Sequence, residues 1–342
     1  MNEDTATHQT ETAGEEEAFA AIVEPHRREL RVHCYRMLGS FDDAEDMVQE
    51  TFLRAWKGRA GFEGRSTFRA WLYRIATNAC LDVLDRRPQR MLPHDLRPAS
   101  DPDHFLPARP DLPWLQPFPD RLLEPTAPGE AEPDAVAVSR ETIELAFLAA
   151  IQHLPPRQRA ALILRDVLGW PAKDTAALLE TSVPAANSAL QRARATLKEH
   201  LPTRRSQWSR PGDLTEEEHA LLTRFVNAYE RADAAAVAEL LAEDARATMP
   251  PYPMWFQGRE AITRALSMSF DPASPGYQGT FRMTAVRANR QPAVASWVRG
   301  PGDDRHLAFG IAVLRIEDGA VTEITAFGPE LFPAFALPPY LT

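Results

Sequence analysis

The sequence lacks most of the features that mark secreted, membrane-spanning or cofactor-binding proteins. Only two of its 342 residues are cysteines, Cys34 and Cys80, and their spacing matches no zinc-binding pattern. Residues 1–17 are polar and acidic, without the basic and apolar regions of a signal peptide. No apolar run reaches the length of about 18 residues that a membrane-spanning helix needs, and there is no glycine-rich phosphate loop or nucleophile elbow. These absences predict a cytoplasmic protein with reduced thiols, no cofactor and no metal.

The chain also has fewer positive than negative charges. The chain has 38 Lys and Arg residues against 48 Asp and Glu residues, for a formal net charge of -10. A protein with this balance cannot coat nucleic acid by bulk attraction, so any nucleic-acid contact requires a local basic surface. The composition, 44% apolar and 25% charged, is typical of a globular chain. Its length exceeds what one hydrophobic core usually organises, so we expect several domains.

Prolines divide the chain. Between Arg87 and Pro133 they interrupt helical periodicity, which predicts a linker between two helical regions, and a second break runs from Pro202 to Asp213. The predicted fold is multidomain, with two all-α domains, the second containing a helix-turn-helix, followed by an α+β domain. The predicted bounds are 18–88 for the first helical domain, 89–137 for the Pro-rich linker, 138–202 for the second helical domain and 213–336 for the α+β domain.

The first helical domain carries a long amphipathic helix with a basic outer face. Apolar residues recur at helical spacing from Phe68 to Leu84, with Ser66 or Thr67 as the predicted N-cap and Pro88 as the stop. Cations with an interleaved aromatic side chain suit single-stranded or melted DNA, which needs counter-charge and a stacking surface. An ordinary solvated helix face is the alternative. The candidate DNA contacts are Arg65, Arg69, Tyr73, Arg74, Asn78, Arg86 and Arg87.

The preceding helix, which ends near Trp56, is acidic on its outer face. Met47, Val48 and Phe52 fall on its predicted core side. Since negative charge repels DNA phosphates, a partner of the outer face would be a basic protein surface. The candidate partner-binding residues are Asp43, Glu45, Asp46, Gln49 and Glu50.

The second helical domain ends in two helices joined by a tight turn at Thr181 and Ser182. The predicted core stripe of the last helix is Val183, Ala186, Leu190, Ala193, Leu197 and Leu201. A helix in the major groove uses Asn or Gln to contact adenine and Arg to contact guanine, while other cations hold phosphates. The pattern indicates a helix-turn-helix, with a solvated helix surface as the alternative. The candidate DNA contacts are Asn187, Ser188, Gln191, Arg192, Arg194 and Lys198.

The last segment begins with helical spacing, which continues to Leu241. Beyond Ala245 the pattern changes to short β-like runs separated by turns such as Asn-Arg-Gln-Pro and Glu-Asp-Gly. Helices followed by a curved antiparallel sheet make an α+β fold.

Three stretches together resemble a known family. They are YRMLGSFDDAEDMVQETFLRAW at 35–56, FRAWLYRIATNACLD at 68–82 and LPPRQRAALILRDVLGW at 154–170. In order and spacing they are similar to extracytoplasmic-function (ECF) sigma factors of the bacterial sigma-70 family. The resemblance implies that the acidic helix docks on the β′ clamp helices of RNA polymerase, with further contact to the β subunit. It also implies that residues 62–87 capture the melted minus-10 strand, that the last helix contacts the minus-35 element, and that the linker threads through the polymerase.

Residues 214–335 resemble a second family, the SnoaL-like domains of the NTF2-like fold. The similarity is carried by FVNAYERAD at 225–233, WFQGREAI at 255–262 and DGAVTEITAF at 318–327. The resemblance implies a cone that encloses an apolar pocket. The candidate lining residues are Met249, Tyr252, Trp255, Phe256, Trp297 and Phe309, with plain core packing as the alternative.

The predicted function is promoter recognition by a sigma factor whose third domain regulates activity in cis. The predicted partners are core RNA polymerase and promoter DNA, with a small-molecule ligand of the third domain left open and no membrane. Because the fold hosts binding modules and enzymes alike, a small-molecule enzyme or ligand sensor is the alternative. The candidate acid or base groups are Asp244, Arg299 and His306. No catalytic residue is assigned, and His26 and His33 near Cys34 lack a full metal-ligand set.

Overall fold

The computed structural model describes residues 14–64, 66–87, 89–123, 143–201 and 214–342. These residues fall into two units. The first contains the residues up to 89 together with 150–200, and the second contains 90–123, 143–149 and the residues from 201 onward. The predicted domain bounds at 88, 137, 202 and 213 fall on residues outside the described ranges.

The first unit begins with a helical bundle. After a helical stretch over 14–23 come α1 (Arg27–Leu38), α2 (Phe41–Gly58) and α3 (Phe68–Leu84). Gly39 separates α1 from α2 with a φ of 66°, a left-handed conformation that favours glycine. The hydroxyl of Ser40 caps α2, and that of Thr67 caps α3, as one of the two predicted N-caps.

The core of this bundle follows the predicted apolar stripe of α3, where Leu72, Ala76 and Cys80 are buried. Both cysteines are buried free thiols. Tyr73, on the predicted outer face, and Thr77, one turn later, are buried as well. His33 of α1 contacts both, with Nε2 2.9 Å from Thr77 Oγ1 and its ring 5.0 Å from the Tyr73 ring, and the Trp170 ring lies 5.5 Å from Tyr73.

The second part of the first unit contains the helix-turn-helix. The helices that follow are α4 (Leu145–Gln152), whose residues before 150 belong to the second unit, α5 (Pro156–Leu162), α6 (Ala172–Leu178) and α7 (Val183–His200), with a π-helical turn over Ile163–Val167. Ala186, Leu190 and Leu197 of the predicted α7 stripe are buried. The prediction that Val183 belongs to this core is wrong, because its side chain is 37% exposed. Residues 181–185 are all exposed, so this turn lies outside the core that covers the later turns.

The second unit is built on a mixed sheet. Its elements are α8 (Glu216–Glu230), α9 (Ala234–Ala238), β1 (Leu241–Thr248), β2 (Trp255–Gln257), α10 (Arg259–Phe270), β3 (Thr280–Ala288), β4 (Gln291–Arg299), β5 (His306–Glu317), β6 (Ala320–Phe327) and β7 (Tyr340–Leu341). The strand order is β2-β1-β6-β5-β4-β3, with β7 on β5, and only β1 and β6 pair in parallel among the described strands. The α+β class is therefore confirmed. Leu241 begins β1 instead of continuing a helix. The helical prediction failed at this residue because a buried apolar residue fits the spacing of a helix and that of a strand equally well.

Both faces of the sheet are buried. On one face, Val294 and Leu314 belong to a core cluster with residues of α8 and α10. Ala293 and Val313 point to the opposite face, because neighbouring strand residues alternate, and they are buried as well. Residues 90–123 and the chain end belong to this unit. The chain end bonds to the sheet through β7, which pairs with β5, and through the Pro338 carbonyl, which accepts from the Trp297 indole N–H (2.9 Å).

Candidate nucleic-acid interface

The exposed face of α7 carries every predicted minus-35 contact. The exposed residues are Asn187, Ser188, Gln191, Arg192, Arg194 and Lys198. Arg194 differs from the rest because Asp166 binds it in a bidentate pair, with Nε 2.8 Å from Oδ2 and Nη2 2.7 Å from Oδ1. This pair ties α7 to the π-helical turn. The arrangement offers the major groove two amides, a hydroxyl and cations on one helix face.

Some of the predicted minus-10 contacts are exposed and others are bonded to carboxylates of the same unit. Arg74 and Arg86 are exposed, and Asn78 is half-buried. Arg87 is exposed but donates to Asp43 Oδ1 at 2.8 Å. Arg65 lies outside the described residues.

Glu29 of α1 binds two more of the predicted minus-10 contacts, Arg69 and Tyr73. Its Oε2 accepts from Arg69 Nε (2.7 Å) and from the Tyr73 hydroxyl (3.1 Å), and its Oε1 lies 2.7 Å from His26 Nδ1. Burial raises the pKa of Glu29, but His26 and Arg69 outweigh burial and hold that pKa below its ordinary value. The carboxylate therefore orients Arg69 and Tyr73. Sequence reasoning missed Glu29 because no local pattern links it to a residue 40 positions away.

Tyr73 cannot stack on a base in this arrangement. Its side chain is 1% exposed, and its ring lies 5.5 Å from that of Trp170, in the loop before α6. Trp170 must move before the Tyr73 ring becomes accessible. The predicted contact of Tyr73 with DNA stays a prediction for a different arrangement of the two helical parts.

A buried arginine, Arg159 of α5, connects the same two parts. It donates to the carbonyl of Met37 at the end of α1, to Gln152 Oε1 (2.7 Å), and to the carbonyls of Gln152 (2.8 Å) and Leu154 (3.2 Å). Burial lowers its pKa to about 10. The four acceptors of the Arg159 guanidinium are all neutral oxygens. Their hydrogen bonds fix the position of α5 relative to the end of α1, but removing the guanidinium charge from water costs free energy.

The acidic face of α2 is exposed at its centre. Asp46 and Gln49 are exposed and lie about one turn apart, and Leu53, 53% exposed, continues the line. The other three predicted residues pair with arginines of the same unit: Asp43 with Arg87, Glu45 with Arg31 and Glu50 with Arg54. A basic partner would therefore meet Asp46 and Gln49 first.

Acid is expected to destabilise the first unit through His33, which packs in the core beside α3. Its Nε2 lies 2.9 Å from Thr77 Oγ1, and burial lowers its pKa from 6.5 to about 3. Between these values the unfolded chain binds one proton more than the folded chain. The free energy of unfolding should therefore fall, as pH falls from about 6 to 4, by up to about 1.4 kcal/mol per pH unit. Urea titrations of His33→Gln should show a smaller slope, with the exposed His200→Gln as the control.

The six candidate cavity residues do not line one cavity. Phe256 belongs to the core between helices and sheet, and Met249 packs against it. Tyr252 and Phe309 are exposed. Trp297 is buried against Phe332, with ring centroids 5.2 Å apart. The sixth residue, Trp255, donates its indole N–H to the carbonyl of Arg97 (2.8 Å).

Aromatic rings occupy the space beside the helices of the sheet domain. The Tyr229 ring lies 5.0 Å from Phe270 and 5.2 Å from Phe281. The candidate catalytic residues are also divided, because β6 separates Asp244 on β1 from His306 on β5. Arg299 lies beside His306, because Val298 and Leu307 are paired on β4 and β5, and the Arg299 charge contributes, after burial, to a lowered His306 pKa. The structure thus brings Arg299 and His306 together and leaves Asp244 apart from both.

Asn289 in the β3–β4 turn binds two separate stretches of the second unit. Its Oδ1 accepts from Phe118 N (2.8 Å), its Nδ2 donates to the carbonyl of Ile143 (2.7 Å), and its own N–H donates to the carbonyl of Phe118 (2.9 Å). The side chain is fully buried, and φ is 56°, a left-handed value that asparagine tolerates. One side chain therefore holds the chain on both sides of residues 119–142.

Other bonds extend this contact along the linker. Ser100 N donates to Trp255 O and Arg109 N donates to Pro251 O, both at 2.8 Å, and Asp120 Oδ2 lies 3.2 Å from Arg287 Nε. The segment 97–120 is therefore bonded to the sheet domain at several points.

Membrane-spanning helices and metal-binding clusters were sought among the residues that the structure describes. None of their helices is long and apolar enough to cross a membrane. Their His, Cys, Asp and Glu side chains form no group of three or more that could hold a metal ion.

Three protein families match successive parts of the chain. Residues 22–89 match Sigma-70 region 2, residues 144–197 match Sigma-70 region 4, and residues 222–324 match a SnoaL-like domain. A helical region 2, a helix-turn-helix region 4 and an NTF2-like sheet domain define a sigma-70-type transcription protein with a C-terminal extension.

Individual relatives show which group of sigma-70-type proteins the chain belongs to. The ECF RNA polymerase sigma factor SigG of Mycobacterium tuberculosis is 45% identical over 322 residues, which cover 94% of this chain and 84% of SigG. SigW of Bacillus subtilis is 29% identical over 188 residues, 55% of this chain and 91% of SigW. The crystal structure of M. tuberculosis SigJ has the same fold, with a TM-score of 0.60 at 22% identity over 93% of this chain and 100% of SigJ. The chain belongs to the ECF RNA polymerase sigma factors, which direct the polymerase to promoters.

Proposed function

We propose that the SnoaL-like domain regulates this sigma factor in cis by holding the segment between the two sigma regions. The observation that carries the proposal is the buried Asn289 side chain, which binds Phe118 on one side of residues 119–142 and Ile143 on the other. A linker that threads through the polymerase must extend. A segment bonded at both ends to one turn cannot do so until those bonds break.

The packing of the two sigma regions supports a closed, inactive state. The Tyr73 and Trp170 rings lie 5.5 Å apart. The minus-10 and minus-35 elements are separated by about 25 base pairs, or about 85 Å at about 3.4 Å per step. Two regions in ring contact cannot reach both elements, so the regions must separate before promoter binding.

The contacts we propose for the open state are those of the sequence analysis, modified by the structure. For the minus-35 element they are Asn187, Ser188, Gln191, Arg192 and Lys198, with Arg194 positioned by Asp166. For the minus-10 strand they are Arg65, Arg69, Tyr73, Arg74, Asn78, Arg86 and Arg87. For the β′ clamp helices they are Asp43, Glu45, Asp46, Gln49 and Glu50. The proposed domains keep the predicted bounds of 18–88, 89–137, 138–202 and 213–336.

We assign no catalysis to the SnoaL-like domain. Its aromatic interior and the separation of Asp244 from His306 support a regulatory module over an enzyme. The chemistry of transcription then belongs to the polymerase.

The test is promoter-dependent transcript synthesis by bacterial core RNA polymerase supplied with the full-length chain, over a library of candidate promoters. Specific transcripts are expected at a low level from the full chain, and at a higher level once the residues beyond 211 are removed. Silence with the full chain and recovery without residues beyond 211 would indicate autoinhibition. Continued silence of both forms would contradict the proposed promoter and polymerase contacts.

The same assay measures the proposed base contacts. Gln191→Ala and Arg192→Ala should each lower transcription from the preferred promoters about tenfold, since a bidentate base contact discriminates by about 1–3 kcal/mol. Lys198→Ala should weaken all promoters alike, because a phosphate contact carries no sequence information. Equal losses for Gln191→Ala on every promoter would assign that residue to phosphate binding instead.

A further inference from the structure

The first turn of α7 carries an apolar surface that the fold does not use. Val183 is 37% exposed, and Pro184 and Ala185 beside it are exposed as well. The periodicity of α7 places Val183 in line with the buried residues Ala186 and Leu190, yet the structure leaves it outside the core. An exposed apolar side chain at this position is available for contact with a partner.

The charge distribution along α7 indicates what that partner is. From Val183 to Leu190 the helix has no charged residue, and its exposed polar groups are Asn187 and Ser188. The cations Arg192 and Lys198 follow only in later turns. In a helix-turn-helix, residues in the first turns of the second helix contact base edges. In the major groove, apolar groups contact the C5-methyl of thymine, and asparagine pairs with adenine.

We infer that Val183 is a specificity-determining residue that contacts a thymine methyl group in the minus-35 element. This inference rests on the proposed minus-35 contact of α7. Ser182 supports the geometry, because its hydroxyl accepts from Ala185 N (3.2 Å) and its carbonyl accepts from Ala186 N (2.9 Å), which fixes the first turn. With Asn187 one turn further along, this end of the helix selects an A·T pair, while Arg192 selects guanine.

The inference can be tested on the DNA without altering the protein fold. Holoenzyme assembled from bacterial core polymerase and the full chain transcribes templates with a randomised minus-35 element, and the transcribed templates are sequenced. Each thymine of the enriched element is then replaced by deoxyuridine, which removes only the methyl group. One replacement should lower initiation about fourfold, the effect of losing one buried methyl group.

Protein variants assign the effect to Val183. Val183→Ser should initiate equally well on the thymine and deoxyuridine templates, and Val183→Ala should show a smaller difference than the parent chain because its one methyl group reaches less far. Ala195→Ser, at an exposed position later in α7, should keep the fourfold difference. An enriched element without thymine, an element insensitive to deoxyuridine, or full sensitivity in Val183→Ser would each overturn the inference. Absence of all transcripts, both from the full chain and from the chain without the residues beyond 211, would instead contradict the proposed function on which it rests.

Discussion

Asn289→Ala is expected to release the linker from the SnoaL-like domain. The substitution removes the acceptor of Phe118 N–H and the donor to the Ile143 carbonyl, both of which belong to a fully buried side chain. Two buried groups left unsatisfied, together with a left-handed backbone that alanine disfavours, cost about 3 kcal/mol. Amide hydrogen exchange over residues 97–118 should accelerate about 100-fold, since about 1.4 kcal/mol corresponds to a factor of ten.

The functional result should follow the structural one. If the held linker keeps the protein inactive, Asn289→Ala should raise promoter-dependent transcription by core polymerase. Asn289→Asp keeps an acceptor for Phe118 N–H but sets a buried carboxylate oxygen against the Ile143 carbonyl, so its exchange and transcription should rise at least as much as those of Asn289→Ala. Asn227→Ala, on the exposed face of α8, should behave like the parent chain. Faster exchange without any change in transcription would refute regulation through the linker.

Arg159→Ala is expected to have the largest effect on stability. It leaves the acceptors on Met37, Gln152 and Leu154 without their charged donor in a buried site. The expected loss is about 3–5 kcal/mol, because hydrogen bonds to a charged group contribute about 1.5–3 kcal/mol each and the orphaned acceptors stay desolvated. For a unit of this size, the melting temperature should fall by about 10 °C.

Two neighbouring substitutions make this prediction specific. Arg157→Ala removes one bond, from Nη1 to the carbonyl of Leu179 (3.1 Å), and should cost about 1 kcal/mol. Arg159→Lys keeps the charge but not the planar fork of donors, so its melting temperature should lie between those of Arg159→Ala and the parent. Equal melting temperatures for Arg157→Ala and Arg159→Ala, measured by calorimetry, would show that the buried network does not stabilise the fold.

The sequence predicted best where local spacing and packing agree. The stripe of α3 and its cap at Thr67, and the later turns of α7, follow directly from the 3.6-residue period. Val183 and Leu241 were misassigned because periodicity states which residues share a line but not where the neighbouring elements end. An apolar residue at the end of an element fits a core, a strand or an exposed contact equally well.

The functional contacts that sequence reasoning missed all join residues far apart in the chain. Arg159 meets Met37 across 122 positions, and Asn289 meets Phe118 across 171. Glu29 has no acidic or aromatic pattern around it that indicates Arg69 and Tyr73 as partners. The Asn-Arg-Gln-Pro turn was recognised as a turn, but what it binds depends on how a proline-rich segment packs, and such a segment carries no periodicity to predict it.

The arginines of the proposed DNA surface have a consequence for behaviour in salt. Arg69, Arg87 and Arg194 are each paired with a carboxylate in the free chain. DNA binding weakens with salt in proportion to the counterions that cationic side chains displace from phosphates. When a paired arginine moves to a phosphate, its former carboxylate partner attracts small cations from solution, and this uptake offsets part of the release. Promoter affinity therefore changes less with ionic strength. The slope of log affinity against log salt concentration corresponds to fewer phosphate contacts than the number of arginines on the surface.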